Sequence, residues 1–217
     1  GQLDAGAQIT SHDHRFQHQG VVGAWRCHAQ AGLAASRDGK WLYFIQDEGG
    51  NEYYDLYRVP ANGGAVERVT STPDLSERGM VPGGADGLIA LSIKKKSEAQ
   101  SNIAVLDANG MVRVLTAEAD PDFEWSPRVW AVDGKTIYAN REKVDSTTTE
   151  IWRIDVATGA ATWVLGESST IYRVMDVSPD GAWLAVTTDV TIGRPRAGLY
   201  NPDTKQWKWL KPIIWDQ

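Results

Sequence analysis

Short runs of alternating apolar and polar residues fill the chain, and no apolar pattern of helical period lasts longer than a turn or two. One such run, residues 41–45, follows the pair Asp38-Gly39. Asp-Gly ahead of an alternating run indicates a tight β-hairpin, because Gly adopts positive φ without steric cost. Asp-Gly pairs recur at positions 38, 86, 133 and 180, in steps of 48, 47 and 47 residues. The pattern therefore predicts an all-β repeat protein.

Each repeat contains three strands besides the one that follows Asp-Gly. One precedes the pair, as at residues 32–35; another follows a variable insert, as at 55–59; the last follows a second turn, as at 66–70. Four short antiparallel strands, A to D, in a unit of this length indicate a blade of a β-propeller. We predict a single propeller domain over residues 1–217, with about four blades at residues 22–70, 79–116, 126–166 and 171–210.

Residues 8–11 resemble the ends of the fourth strands at residues 68–71 and 114–117. They are therefore predicted to be a leading strand D. Such a strand either closes the ring by pairing with the last blade, or shows that the chain is a fragment or half of a larger propeller. The second interpretation is favoured, since a four-bladed ring lies at the small end of the known range.

Composition narrows the classes of partner. The chain is 42% hydrophobic, with a net charge of -6 and a pI near 5.2. Acidic character argues against binding to nucleic acid or to anionic membrane surfaces. The longest apolar stretches are strand-length, so no membrane insertion is expected. Cys27 is the single cysteine and precludes an internal disulfide; bacterial cytoplasm and periplasm are both compatible with the sequence.

The connections between strands predict where binding would occur. In an up-and-down blade, the A–B and C–D turns lie on one face of the disc, and the B–C and D–A connections lie on the other. The second set is longer and more highly charged, and loops on a rigid scaffold are where binding residues concentrate. The predicted functional face therefore carries these segments: residues 12–18, 46–54, 73–77, 94–101, 120–124, 141–149 and 188–196.

A histidine cluster lies near the start of the chain, at His12, His14, His18 and His28. Three imidazoles with a carboxylate such as Asp13 could hold a divalent metal. The alternative is a polar loop whose histidines bond to backbone and water, and this is preferred because the spacing matches no closed zinc pattern. We therefore assign no metal, cofactor-binding or catalytic residue.

Other candidate residues have structural explanations. Asp38, Asp86, Asp133 and Asp180 recur with the repeat, so a turn role accounts for them. The strand tryptophans are expected to fill the space between blades rather than to form a stacking platform for a sugar or nucleotide: Trp41, Trp152, Trp163, Trp183, Trp207 and Trp209. Residues 94–96, Lys-Lys-Lys, indicate a solvated loop.

Recognisable catalytic motifs are missing from the sequence. It contains no Gly-x-Ser-x-Gly nucleophile elbow, no phosphate-binding glycine loop and no Cys-x-x-Cys site. The chain itself is therefore not predicted to carry out catalysis.

The repeat, seen most clearly in residues 36–44, 55–64 and 68–70, resembles that of TolB and of the N-terminal propellers of the prolyl oligopeptidase family of serine peptidases. The resemblance covers residues 8–211. Segment 125–128, Trp-Ser-Pro-Arg, and the charged B–C inserts are closer to the peptidase branch. In that family the propeller caps an α/β-hydrolase domain and restricts access to small peptides.

The resemblance implies a non-catalytic domain that gates and selects peptide substrates, with an α/β-hydrolase domain or a peptide as its partner. None of the family's active-site residues has a counterpart in this sequence. One alternative is a stand-alone TolB-like propeller that binds other proteins. A more remote one is a metal-assisted hydrolase that uses His12, His14 and His18. Because family propellers have seven or eight blades, two copies of the chain are also expected to associate and complete a ring.

Overall fold

The computed structural model describes residues 32–190 and 195–211, and these form four antiparallel sheets of four strands each. The predicted all-β propeller architecture is thereby confirmed. The strands of blade 1 are β1 (Leu33–Ala35), β2 (Trp41–Asp47), β3 (Tyr54–Pro60) and β4 (Glu67–Arg68). Those of blade 2 are β5 (Leu75–Pro82), β6 (Ile89–Lys95), β7 (Ser101–Leu106) and β8 (Val112–Val114).

Blades 3 and 4 repeat this plan. Blade 3 contains β9 (Phe123–Trp130), β10 (Thr136–Lys143), β11 (Thr149–Asp155) and β12 (Ala161–Leu165). Blade 4 contains β13 (Tyr172–Val177), β14 (Leu184–Thr188), β15 (Arg196–Tyr200) and β16 (Trp207–Trp209). In every sheet the strands pair in chain order, as an up-and-down blade requires. Strands β5 and β9 begin before residues 79 and 126, where the sequence pattern placed the starts of these blades. The predicted leading strand at residues 8–11 lies outside the described residues.

The Asp-Gly pairs form the A–B turns. Gly39 adopts a φ of 69°, and the Asp38 carboxylate accepts hydrogen bonds from the Ser36 hydroxyl and the Lys40 amide. These bonds, that from Ser36 foremost, lower the pKa of Asp38 to about 2. Asp180 accepts the equivalent bonds from Ser178 and the Ala182 amide. In blade 2 the turn is a short 3-10 segment, Ala85–Gly87, with Asp86 itself at positive φ.

The hydrophobic core consists of three clusters, each between two successive blades. The first joins blades 1 and 2 around Leu56 and Leu91, the second joins blades 2 and 3 around Ile103 and Ile137, and the third joins blades 3 and 4 around Ile151. Within the described part of the chain, no cluster joins blade 4 to blade 1. Among residues 32–190 and 195–211, the clusters therefore join the four blades in series, from blade 1 to blade 4.

Candidate functional site

The loop face, which we define as the B–C and D–A connections, carries charged side chains that are held by specific contacts. Lys96, in the B–C loop of blade 2, lies 4.0 Å above the ring of Tyr53 in the B–C loop of blade 1. Its neighbour Lys95 pairs with Glu98, with their side chains 50% and 40% exposed. The lysine run is thus largely solvated, as expected, and one of its members links the loops of two blades.

The most strongly charged part of the loop face surrounds Arg141, at the end of β10. Its guanidinium donates to Glu118 at 2.8 and 3.0 Å, and to Glu150 at 3.4 Å. Asp120 lies 3.8 Å away. Burial raises the pKa of Glu118, but the hydrogen bonds from Arg141 outweigh it and hold that pKa below its usual value. One guanidinium is thus surrounded by three carboxylates, which leaves a local excess of negative charge.

Aromatic rings surround the same cluster. Arg141 lies 3.8 Å over the ring of Phe123, and Trp125 packs edge-on against Trp152 with ring centroids 5.5 Å apart. The Trp152 indole donates to Glu150. A cavity of about 430 Å³ opens beside these groups, between blades 2 and 3. It offers flat apolar walls and fixed carboxylates, which suit a small ligand with an apolar side chain and a cationic group.

A second polar cluster lies between blades 1 and 2. Glu77, on β5, is fully buried and accepts a hydrogen bond from the Thr72 hydroxyl. Its other oxygen, Oε2, is buried without a hydrogen-bond partner among the described residues. Burial, with a further contribution from the charge of Asp55, raises the pKa of Glu77 to about 7. Asp55 is itself paired with Arg68. Near neutral pH, Glu77 therefore exchanges a proton inside a blade interface.

A larger cavity than the one beside Arg141 lies on the opposite face, among the tight turns of blades 1 and 2. It measures about 700 Å³, and its wall includes Trp41 with the Arg58 guanidinium 4.0 Å from the ring centroid. Arg58 also pairs with Glu67 at 2.7 Å, and Arg37 crosses the groove to donate to the Gly83 carbonyl. The sequence pattern assigned function to the loop face and did not indicate this groove. The sequence did contain one indication of this groove, because Trp41 and Arg58 fall near the turn ends of two strands that pair with each other.

The histidines that the sequence offered as possible metal ligands cannot be compared with the sites above. His12, His14, His18 and His28 are all outside the described ranges. Within those ranges, no three His, Cys, Asp or Glu side chains are grouped so as to hold a metal ion. No helix there is long and apolar enough to cross a membrane.

The six tryptophans that were predicted to fill the space between blades differ in their surroundings. Trp41, Trp152 and Trp207 pack against the clusters between blades, as expected. The expectation was wrong for Trp163 and Trp209, which are 46% and 37% exposed. Trp183 is half-buried, belongs to none of the three clusters, and has the Lys208 Nζ atom 3.8 Å from its ring centroid. Trp209 stacks on Trp207 with ring centroids 4.2 Å apart, which places a flat aromatic surface at the outer edge of blade 4.

No family model matches the chain, and no curated protein is similar to it. Solved structures do match. A putative TolB from Agrobacterium tumefaciens superposes with a TM-score of 0.64 at 23% identity, over 87% of this chain and 64% of that one. Puromycin hydrolase superposes with a TM-score of 0.60 at 13% identity, over 84% of this chain and 29% of that enzyme. A prolyl endopeptidase superposes with a TM-score of 0.58 at 17% identity, over 86% of this chain and 30% of that enzyme.

These similarities establish the fold. The chain is a β-propeller of the type found in TolB and in the propeller domains of prolyl oligopeptidase-like enzymes, as the repeat indicated. It spans less than two thirds of that TolB and less than one third of the two enzymes.

Proposed function

We propose that the chain is the non-catalytic propeller domain of a prolyl oligopeptidase-like serine peptidase, where it gates and selects peptide substrates for an α/β-hydrolase domain. The observation that carries this proposal is the asymmetry of the matches. More than four fifths of the chain superposes on puromycin hydrolase and on a prolyl endopeptidase, yet it accounts for only 29% and 30% of their lengths. A segment of that proportion leaves room in such an enzyme for further blades and for a catalytic domain.

The loop face is the part of the propeller that we assign to substrate selection. Its Arg141 cluster combines fixed carboxylates with the indole rings of Trp125 and Trp152 beside an open cavity. Charged groups held by ion pairs lose little conformational freedom when a ligand binds, which favours discrimination between peptides. For prolyl endopeptidases, inter-domain dynamics have a role in catalysis and specificity. A propeller that moves against its partner domain would act in the same way here.

The gating proposal is tested with the full polypeptide that contains this chain, purified from the source cell. We expect it to cleave a short chromogenic peptide and to leave a reduced, unfolded protein intact, because a propeller cap excludes long chains. Deletion of residues 1–217 should remove that size limit. A fluorophosphonate probe, which labels the active-site serine of serine hydrolases, should still label the shortened protein. Equal cleavage of both substrates by the intact polypeptide would contradict gating.

A second candidate function is a TolB-like module that binds other proteins. It is favoured by the TM-score of 0.64 with the Agrobacterium tumefaciens protein, which exceeds the scores with the two enzymes. The two candidates differ in the partner they require. A native polypeptide without serine-hydrolase activity that co-purifies with a stable protein partner would favour the TolB-like function.

The metal-assisted hydrolase remains the most remote candidate, and it depends on His12, His14 and His18. Metal analysis of the purified chain tests it. A stoichiometric divalent metal that is lost in a His12→Ala/His14→Ala variant would support this candidate, and a metal-free chain would contradict it.

A further inference from the structure

The A strands of successive blades converge on the inside of the propeller. β9 contacts both β5 and β13, whereas no comparable contact links the D strands of successive blades in the described part of the chain. In a propeller the innermost strands surround a central channel, whatever the number of blades. We call the channel side of β5, β9 and β13 the inner wall. Further blades would stand beside this wall and would not cover it.

Each strand of the inner wall contains a β-bulge at the same level. In β9 the residue left out of the ladder is Arg128, and in β13 it is Met175. In β5 the register shift lies between Arg78 and Val81, beside the corresponding part of the B strand. A bulge turns the side chain of the extra residue in a new direction, and bulges are common next to active sites. Here the bulges bring an exposed cation, Arg128, and a thioether that is 53% exposed to the inner wall.

The guanidinium of Arg128 reaches from blade 3 to blade 4. Its Nε donates to the Val174 carbonyl at 3.4 Å, and a terminal nitrogen lies 4.0 Å from the Met175 sulfur. Both contacts are long, and both acceptors are uncharged. Among residues 32–190 and 195–211, no carboxylate lies within ion-pair distance of Arg128. A guanidinium has several N–H donors, so others remain for a ligand.

Arg173 brings a second cation to the same place. Partial burial, and after it the positive charge of Arg173, lower the pKa of Arg128, while the charge of Glu142 opposes them. A side chain that is exposed to water and still loses part of its hydration lies in a recess. Arg173 pairs with Glu142 at 3.1 Å. Two guanidiniums thus share one carboxylate, which leaves an excess of one positive charge in the recess.

This positive recess belongs to a chain whose net charge is -6. The inner wall also carries two exposed carboxylates, Glu124 and Asp176, but neither acts on the pKa of Arg128. Arg78 adds a third guanidinium on β5, where it lies 5.3 Å from the ring centroid of Tyr54. Like charges that are held close together repel each other, and an anion bound between them would relieve that repulsion.

We propose that Arg128 and Arg173 form an anion site on the inner wall, and that its ligand is a carboxylate of a peptide. A planar carboxylate matches the fork of a guanidinium and accepts two parallel hydrogen bonds from it. Met175, beside Arg128, offers an apolar contact to the residue that carries the carboxylate. The peptide as the source of the carboxylate rests on the proposed function, whereas the anion site does not.

The position of the pair along the channel fits a peptide that enters from the loop face. β9 starts at that face with Phe123, and Arg128 is the sixth of its eight residues. Arg173 is the second residue of β13 and therefore lies closer to the loop face. The leading end of a peptide would meet Arg173 first and Arg128 second. We therefore expect the C-terminal carboxylate to be preferred over that of an acidic side chain.

Isothermal titration calorimetry on the full polypeptide that contains this chain tests the site. The polypeptide is first treated with a fluorophosphonate, so that any active-site serine is blocked and the peptides stay intact. The probes are N-acetyl-Ala-Ala-Leu with a free carboxylate, the same peptide as its C-terminal amide, N-acetyl-Ala-Glu-Leu amide, and inorganic phosphate. We expect the free acid to bind about 10- to 100-fold more tightly than its amide, as hydrogen bonds to a charged group imply.

Three variants locate the site. Arg128→Gln should reduce the affinity for the free acid to that for the amide, with an unchanged circular dichroism spectrum, because Arg128 is exposed and forms no ion pair among the described residues. Arg173→Lys keeps a cation beside Glu142 but loses the fork, so it should weaken binding of the free acid alone. Arg153→Gln removes an exposed arginine from β11 and is the matched control, which should keep the full preference.

Equal affinities of the wild type for the free acid and the amide, or a preference that survives Arg128→Gln, would overturn the proposal. Tight binding of the Glu-containing amide that is lost in Arg128→Gln would support the site with an acidic side chain as its ligand. Binding of phosphate alone, lost in the same variant, would support the anion site and overturn the peptide as its ligand. All these results are obtained whether or not the fluorophosphonate labels the polypeptide, so a failure of the peptidase proposal is seen separately.

Discussion

Glu77 in blade 2 occupies the register position that Trp125 occupies in blade 3. Each lies opposite the residue that follows the first buried residue of the neighbouring B strand by four positions, Ile93 for Glu77 and Arg141 for Trp125. Tyr172, opposite Thr188, holds the same position in blade 4. All three are buried between blades. Two of the interfaces thus have an aromatic ring at this point, while the interface between blades 1 and 2 has a carboxyl group.

This relationship makes the stability of the chain dependent on pH. Because the pKa of Glu77 rises from 4.5 to about 7 on folding, the folded state binds more protons than the unfolded state between these values. The free energy of unfolding should therefore fall as pH rises through this window, by about 3 kcal/mol from this group, and level off above about pH 7. Glu77→Gln should remove this dependence and be more stable than the wild type at pH 8. Urea unfolding at several pH values measures the difference.

The matched control for Glu77→Gln is Glu124→Gln, because Glu124 is an exposed glutamate on β9. Its free energy of unfolding should follow that of the wild type at every pH. If the Glu77→Gln curve also follows the wild type, the buried carboxyl does not titrate as described.

Removal of Arg141 should be strongly destabilising, because it leaves Glu118, whose side chain is only 6% exposed, without its counter-ion. For Arg141→Met we expect a loss of about 3–5 kcal/mol in the free energy of unfolding, measured in urea. The double variant Arg141→Met/Glu118→Gln should recover part of that loss. Lys95→Met breaks an exposed pair and should cost less than about 1 kcal/mol. Equal losses in the free energy of unfolding for Arg141→Met and Lys95→Met would show that the Arg141 cluster is solvated.

Thr116 fixes the start of β7 by accepting a hydrogen bond from the Ile103 amide at 2.9 Å and donating to the Asn102 side chain. Thr70 accepts the same bond from the Leu56 amide in blade 1. Thr116→Val keeps the shape but leaves that buried amide unpaired, so a loss of about 1–3 kcal/mol is expected in thermal or urea unfolding. Thr162→Val, at an exposed position on β12, is the control and should be close to neutral. A neutral Thr116→Val would mean that water replaces the hydroxyl.

Gly84 permits the close approach of Trp130 from blade 3. A Cβ at Gly84 would lie 2.6 Å from the indole ring, although the φ of this residue is an ordinary -65°. Gly84→Ala should therefore lower the free energy of unfolding by about 1–3 kcal/mol through overpacking alone. Gly32→Ala, whose Cβ would meet Met80 at an ordinary 3.4 Å, serves as the comparison and should be tolerated. Similar stability for both variants would contradict the tight contact between blades 2 and 3.

The sequence allowed the strand plan to be predicted, because Asp38, Asp133 and Asp180 mark hairpins whose geometry is local. It placed Glu77 in the D–A loop at residues 73–77, whereas the structure places this residue within β5 and fully buried, ahead of a register shift between Arg78 and Val81 that only the paired strands show. Arg141 was placed in the charged insert at residues 141–149, whereas it lies within β10, two residues before that strand ends. Its three carboxylate neighbours come from elements up to 23 residues away, and such contacts have no signal in a single sequence.

The most direct test of the proposed function uses an antibody to this chain to isolate the native polypeptide from the source cell. The isolated protein is treated with a fluorophosphonate probe, which labels the active-site serine of serine hydrolases, and its mass is read on the same gel. The account predicts one labelled band far heavier than 23.8 kDa. An unlabelled band at 23.8 kDa would contradict it and would leave protein binding as the function of the propeller.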